Sequence, residues 1–150
     1  MVSALVVVGL ITLYFLLDQL VETPRKQISR KLREMAAAVK TGSVDRIFAH
    51  ISPSFKFQGQ DKAAFRAFCE RVFRDGLAEE LVIWDINFPD RPDRAHFRAT
   101  LKSRRLAEFN QFIVQATFAQ DDDGQWRMRG FELFNPLVDA HAPIPVPANP

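Results

Sequence analysis

The spacing of apolar positions changes twice along the chain, and each change predicts a different kind of structure. Residues 2–17 are almost all apolar, with no charge before Asp18. From Thr23 to Gly76 apolar residues recur every three or four positions, as on one face of a helix. From Leu81 to Phe134 they alternate with polar residues, as on one face of a strand. The sequence therefore predicts an apolar segment, then helices, then strands.

Three helices are predicted in the first half, with a short strand at 55–57 between the second and the third. Thr23 followed by Pro24 is a good helix start, because the hydroxyl can accept a bond from a free backbone N–H group and proline suits the first turn. Glycine follows the first and the third helix, as at many helix ends. The predicted bounds are 23–42, 43–53 and 61–76.

Four longer strands are predicted in the second half. Pro89–Asp93 and Asp122–Gly124 are turn sequences, and they favour antiparallel pairing of the strands around them. The predicted strands are Leu81–Phe88, Arg94–Lys102, Phe109–Ala119 and Trp126–Phe134. Helices followed by antiparallel strands predict the α+β class. The aromatic residues predicted to line a pocket on the inner face are Phe57, Phe68, Trp84, Phe97, Phe112, Phe118, Trp126 and Phe134.

The first apolar segment is predicted to be a single transmembrane anchor over residues 2–21. As a helix it would measure about 30 Å, the thickness of a bilayer's hydrocarbon core. A cleaved signal peptide fits less well, because no basic region precedes the run and no small-residue cleavage site follows Leu17. A buried core helix is the other alternative, although the run is apolar nearly all round. The cations between Arg25 and Arg33 slightly favour a cytoplasmic location for the rest of the chain.

Composition narrows the classes of function. The net charge is only +2 with both signs interspersed, so no nucleic-acid partner is predicted. Fourteen Phe residues supply large apolar area without a polar group, which indicates a greasy core or cavity. The single Cys69 excludes an intramolecular disulfide. No motif that would hold a metal or a cofactor occurs, so none is predicted. Residues 136–150 contain five prolines and are predicted to be a disordered tail.

The order of elements resembles the nuclear-transport-factor-2-like, or SnoaL-like, superfamily over residues 23–135. The segments that carry the resemblance are Val39–Phe48, Ile51–Phe55 and Asp123–Phe131. The resemblance implies a cystatin-like cone, in which three N-terminal helices pack on a strongly curved antiparallel sheet. It also implies that the mouth of the cone holds a small apolar ligand, an active site or only side chains. Many members pair through the outer face of the sheet, so a homodimer is expected.

Two residues are candidates for acid–base chemistry, which enzymes of this superfamily perform with an Asp or His inside the cone. Alternation places Glu132 on the same face as Trp126 and Phe134, and His50 lies near the end of the second helix. The leading hypothesis is nevertheless a membrane-anchored, non-catalytic domain for protein interaction or small apolar ligand binding, because no acid–base pair shares the aromatic face. The alternative is an enzyme of the isomerase, cyclase or dehydratase type that uses Glu132 or His50.

Overall fold

The computed structural model describes residues 22–103, 110–136 and 139–144. Three helices precede the main sheet in this part of the chain: α1 (Pro24–Lys40), α2 (Val44–Phe48) and α3 (Lys62–Arg74). A two-strand hairpin, β1 (Lys56–Phe57) and β2 (Gln60–Asp61), lies between α2 and α3. The main strands are β3 (Glu80–Asn87), β4 (Arg94–Lys102), β5 (Asn110–Gln120), β6 (Trp126–Asn135) and β7 (Asp139–Pro143).

Four helices were expected with the anchor included, and the described residues contain three of them. The predicted anchor at 2–21 lies outside the described residues. None of the helices between residues 22 and 144 is long and apolar enough to cross a membrane.

The five main strands form one antiparallel sheet in sequence order, from β3 at one edge to β7 at the other. The helices and the sheet together confirm the α+β class. α1 packs along β3 and also contacts β6, so it lies across the inner face of the sheet.

The predicted start of α1 is confirmed, because the Thr23 side chain accepts a bond from the Lys26 backbone N–H at 3.4 Å and Pro24 opens the helix. Its inner face buries Ile28, Leu32 and Val39 against the sheet. Burial of such side chains stabilises the fold by roughly 1.5–3 kcal/mol each. This apolar face, more than the intrinsic propensity of the segment, therefore fixes the helix on the sheet.

A β-bulge in β3 changes which side chains face the core. The register shifts between Trp84 and Asn87, and Asp85 adopts a left-handed backbone with φ of 55°. Before the bulge Leu81 and Ile83 pack on the core, whereas Val82 is 49% exposed. Trp84 shares the face of Val82, so the prediction that Trp84 lines the inner face is wrong, because a bulge reverses the alternation of a strand.

A second bulge lies in β6. Thr117 pairs with Gly130 and Phe118 with Met128, so Arg129 is the extra residue on β6. After it Phe131 and Leu133 pack on the core, in place of the even-numbered residues that regular alternation predicts.

The edge strand β7 corrects the prediction for the C-terminal segment. The proline content predicts a disordered tail at 136–150, and that prediction is wrong for Asp139–Pro143. β6 without β7 would expose a row of unpaired backbone groups, and β7 covers part of that edge. The Ile144 backbone N–H extends the contact by donating to the Leu133 carbonyl at 2.7 Å.

Candidate ligand-binding cavity

A cavity of about 280 Å³ lies between the inner face of the sheet, α1 and α3. The strands contribute alternate residues, because only one face of each strand points inward. Its lining includes Leu32, Met35 and Val39 from α1, Phe65, Phe68, Cys69, Val72 and Phe73 from α3, and Leu81, Ile83, Phe97, Ala99, Leu101, Phe112, Val114, Met128, Phe131 and Leu133 from the sheet. Every side chain in this set is hydrocarbon, thioether or thiol.

α3 forms the loosest wall of the cavity. Asp61 caps this helix, and its carboxylate accepts a bond from the Ala64 backbone N–H at 2.9 Å. The apolar stripe of α3 faces the cavity, yet none of the residues of α3 is buried, whereas α1 has five buried residues. A helix that packed directly on the sheet would bury its stripe, so the half-buried stripe marks α3 as the cover of an open volume.

Stacked phenylalanine rings close one end of the cavity. The Phe57 ring stacks on Phe131 with centroids 4.2 Å apart, and Phe65 lies 5.6 Å and 5.7 Å from the same two rings. Phe55, which is fully buried, extends the cluster with its centroid 5.0 Å from Phe65. These contacts join β1, α3 and β6, and they therefore hold three walls of the cavity in one arrangement.

Cys69 supplies the one sulfhydryl of the cavity wall. Burial raises the pKa of its thiol to about 12. The thiolate is the nucleophilic and metal-binding form of cysteine, and at neutral pH this side chain remains a thiol. Cys69 therefore contributes to the wall as a small apolar group.

Half of the aromatic residues predicted to line a pocket do line the cavity. They are Phe57, Phe68, Phe97 and Phe112. Trp84, Phe118, Trp126 and Phe134 lie outside its lining. Trp84 and Phe134 lie in one register row with Arg98 and Ile113, on the outer face of the sheet. The two bulges explain why regular alternation predicts the opposite face for them. Phe118 is fully buried and Trp126 packs on the core, both beyond the cavity.

Glu132 lies on the outer face of the sheet. The bulge at Arg129 reverses the alternation, and Glu132 pairs with Gln115 instead of facing the aromatic residues. Its side chain is exposed, and it borders a polar depression of about 450 Å³ that also includes Lys56 and Arg94. The structure therefore separates Glu132 from the apolar cavity by the thickness of the sheet.

His50 also lies outside the cavity lining. Its Nε2 atom is 3.1 Å from a carboxylate oxygen of Glu34, and its side chain is 18% exposed. Burial lowers the pKa of the imidazole, and the nearby charge of Lys31 lowers it further. The neutral imidazole, with its proton on Nε2, can donate a hydrogen bond to Glu34. The pairing with Glu34 accounts for the position of His50, and burial together with the charge of Lys31 favours its neutral form.

A polar network around the turn between β5 and β6 surrounds His50. Arg127 pairs with Asp121 at 3.0 Å and with Asp123 at 2.6 Å, and Ser52, fully buried, donates to Asp121 at 2.7 Å. The bonds from Arg127 lower the pKa of Asp123 to about 2. The network ties the turn to the segment after α2, so the polar groups bond to one another and not to the cavity.

Lys31 belongs to the same end of the molecule. Its ammonium lies 3.4 Å from the Gln125 side-chain oxygen, and the residue is buried on the inner side of α1. Burial lowers the pKa of this lysine, and the charge of Arg127 lowers it further. Its hydrogen bond compensates part of the cost of burying a charge.

Comparison with known proteins identifies the fold. No protein-family model matches the chain, and no curated protein matches it either. Solved structures do match. A protein of unknown function from Nostoc punctiforme, described as having a cystatin-like fold, superposes with a TM-score of 0.57 at 11% identity, over 71% of this chain and 86% of that one. The fold is cystatin-like.

Two further structures support the same architecture. A proposed scytalone dehydratase from Novosphingobium aromaticivorans superposes with a TM-score of 0.51 at 14% identity, over 82% of this chain and 94% of that one. A de novo designed protein with a curved β-sheet gives 0.54 at 14% identity, over 73% and 84%. These similarities confirm the cystatin-like fold and the curved sheet that the superfamily resemblance implies. Function has to be argued from the cavity, because one fold serves many functions.

Proposed function

We propose that this chain is a membrane-anchored, non-catalytic cystatin-like domain that binds a small apolar molecule in its internal cavity. The observation that carries the proposal is the cavity of about 280 Å³ with a wholly apolar lining. An engineered apolar cavity of about 150 Å³ already binds benzene or xenon. The cavity lies just below the usual range for small-molecule sites, which begins at about 300 Å³.

The lining also defines the class of ligand. Burying a polar group without a hydrogen-bond partner costs roughly 1–3 kcal/mol in proteins. Because the lining offers hydrocarbon and sulfur atoms, a hydrocarbon chain or a single aromatic ring fits inside it. A polar end of the ligand would have to remain outside this lining, where solvent can reach it.

Binding fits this cavity better than acid–base catalysis does. A general base must lie within hydrogen-bond distance, about 3 Å between heavy atoms, of the group whose proton it abstracts. Glu132 is on the outer face and His50 is paired with Glu34, so neither candidate is within reach of a molecule in the cavity. The thiol of Cys69 keeps its proton at neutral pH. The enzyme alternative therefore finds no support among the residues that line the cavity in the described part of the chain.

The proposed anchor places this cavity next to a source of apolar molecules. Residues 2–21 have the length and apolar character of a transmembrane helix, and α1 begins only three residues later at Pro24. The cations that follow favour a cytoplasmic location for the domain. A domain held this close to a bilayer would meet lipid-derived molecules first.

Pairing of two copies through the outer face of the sheet is part of the same proposal. Val82 on this face is 49% exposed. Trp84 of β3 and Ile113 of β5 lie in one register row on the same face, on either side of β4. Apolar side chains on an outer face are typical of a surface that another chain covers. Sedimentation of the full chain in detergent, compared with its Val82→Lys variant, tests the pairing.

A fluorescent apolar probe and a panel of small hydrocarbons test the binding. Ala99 is buried in the cavity wall between Ile83 and Phe112, whereas Thr100 points to the outer face of the same strand. Ala99→Leu fills part of the cavity and is expected to weaken probe binding at least about tenfold, which is 1.4 kcal/mol. The matched control Thr100→Leu is expected to bind normally. Absence of binding across the panel, or equal affinities in the two variants, would contradict the proposal.

A further inference from the structure

The outward face of α1 carries a dense group of cations. Arg25, Lys26, Arg30 and Arg33 from α1, together with Arg46 from α2, border a groove of about 700 Å³ on the surface. All of them are exposed. Arg25 and Arg33 are eight residues apart and so share one side of the helix. This cationic face lies opposite the side of α1 that packs on the sheet.

Most of these cations have no counter-ion in the protein. Arg30 is paired with Glu22 at 2.9 Å and lies 3.8 Å from Glu34. Within the described part of the chain, no carboxylate forms an ion pair with Arg25, Lys26, Arg33 or Arg46. The guanidinium of Arg25 lies over the Phe88 ring instead, 5.9 Å from its centroid. Four neighbouring cations without a carboxylate partner repel one another, and an external anionic surface would relieve that repulsion.

The position of the face in the sequence indicates which anionic surface that is. The apolar segment ends at Val21, and the cations begin four residues later at Arg25. A rise of 1.5 Å per residue places the cations from Arg25 to Arg33 within about 12 Å of helix. Electrostatic attraction to a bilayer acts over a Debye length of about 8 Å at physiological salt. Cations this close to a transmembrane segment are within range of its headgroups.

We propose that the cationic face of α1 and α2 binds the anionic headgroups of phospholipids in the membrane that residues 2–21 enter. Guanidinium groups recognise phosphate oxygens with paired hydrogen bonds, and three of the four unpaired cations are arginines. This inference rests on the proposed membrane anchor. It adds that the domain lies on the bilayer in one orientation, with α1 between the headgroups and the cavity.

The consequence for the cavity follows from the two sides of α1. Its outer side carries the cations, and its inner side contributes Leu32, Met35 and Val39 to the cavity wall. Contact with headgroups would therefore fix the helix that forms the most firmly packed wall.

Photo-crosslinking of the full chain in nanodiscs tests this contact. Ser29 lies between Arg25 and Arg33 on the same face, and a benzophenone amino acid at this position would capture neighbouring lipid. In discs of phosphatidylcholine with about 30% phosphatidylserine, we expect adducts enriched about threefold in the anionic lipid relative to the disc. The enrichment is expected to disappear at about 0.5 M salt, because the attraction is screened.

Two charge variants distinguish lipid contact through the cationic face from a general effect of the positive charge of the protein. Arg25→Gln, Lys26→Gln, Arg33→Gln and Arg46→Gln together are expected to reduce the enrichment to unity. The control combines Arg71→Gln, Arg74→Gln, Arg98→Gln and Lys102→Gln, which removes the same charge from α3 and β4. It is expected to keep the enrichment.

The outcomes distinguish this inference from the proposed anchor. A chain that enters the discs but gives adducts in the proportions of the lipid mixture overturns the headgroup contact and leaves the anchor intact. Equal loss of enrichment in the two variants also overturns it. A chain that elutes apart from the discs overturns the anchor and the headgroup contact together.

Discussion

Glu132 lies directly opposite Gln115 across β5 and β6, on the face of the sheet that points away from the cavity. One position along each strand, Val114 and Leu133 face each other in the cavity wall. The pleat of the sheet therefore places the Glu132 carboxylate and the apolar lining on opposite sides of the sheet.

Glu132→Gln is expected to leave the affinity for an apolar probe unchanged within about twofold, because the side chain does not border the cavity. The unfolding free energy is expected to change by less than about 0.5 kcal/mol, as for most exposed positions. Probe titration and urea unfolding measure the two quantities. A tenfold loss of affinity would show that the outer face takes part in binding, and Arg129→Gln on the same strand serves as the control.

Gly130→Ala is expected to loosen the end of the cavity that the phenylalanine rings close. A Cβ atom at this position would lie 2.7 Å from the backbone oxygen of Lys56, which is too close for β1 to remain where it is. Moving β1 would disturb the stack of Phe57 on Phe131. We expect a loss of about 1–3 kcal/mol in unfolding free energy, measured with urea, together with weaker probe binding.

The neighbouring Arg129→Ala is the control for that substitution, since its side chain is exposed. It is expected to cost less than about 0.5 kcal/mol. Equal stability of the glycine variant and the parent chain would mean that β1 can shift away from β6 at little cost.

The regular parts of the sheet could be predicted from alternation, and the bulges could not. β4 has no register shift against β5, and alternation places Ala95, Phe97 and Ala99 on one face, where all three are buried. In β3 the one local signal is the residue type of Asp85, since Asp adopts a left-handed backbone more readily than most residues. In β6 the extra residue is Arg129, and nothing in that residue type signals a bulge.

The cavity illustrates the same limit. The helical spacing of Leu32, Met35 and Val39, and of the apolar residues of α3, predicts which side chains face the sheet. The volume between them depends on how far α3 lies from the sheet, which periodicity does not encode. β7 was missed for a related reason, because Asp139–Pro143 form a strand where the edge of β6 is available and not because of their own pattern.

Arg127→Ala is expected to destabilise the domain by about 2 kcal/mol. The side chain is 22% exposed, bonds to Asp121 and Asp123, and donates to the backbone oxygen of Ala49. Removing a hydrogen-bonded charge leaves its partners only partly solvated, which costs roughly 1–3 kcal/mol. Arg127→Lys is expected to recover only part of the loss, because an ammonium cannot bond to two carboxylates in the same planar geometry.

Urea unfolding at neutral pH measures the effect, and Arg129→Ala is again the control on β6. An Arg127→Ala chain as stable as the parent would show that the network does not hold the turn between β5 and β6 to the segment after α2.

The stability of the domain is expected to fall between about pH 7 and pH 5 through His50. Burial lowers the pKa of this imidazole in the folded chain below its usual value of about 6.5, so the unfolded chain binds the proton more readily. The contribution of the neutral imidazole is therefore complete above the unfolded pKa and is lost as the pH falls through 6.5 towards the folded pKa. The lowered pKa values of Asp121 and Asp123 act in a separate window, below about pH 4.

His50→Gln keeps a donor for Glu34 without a titrating group, and it is expected to flatten the decrease in unfolding free energy between pH 7 and pH 5. His96→Gln, which removes a histidine from the outer face, is the matched control and should retain the decrease. Urea unfolding at intervals of half a pH unit measures the three profiles, and an equal slope in His50→Gln and the parent chain would place the pH dependence elsewhere.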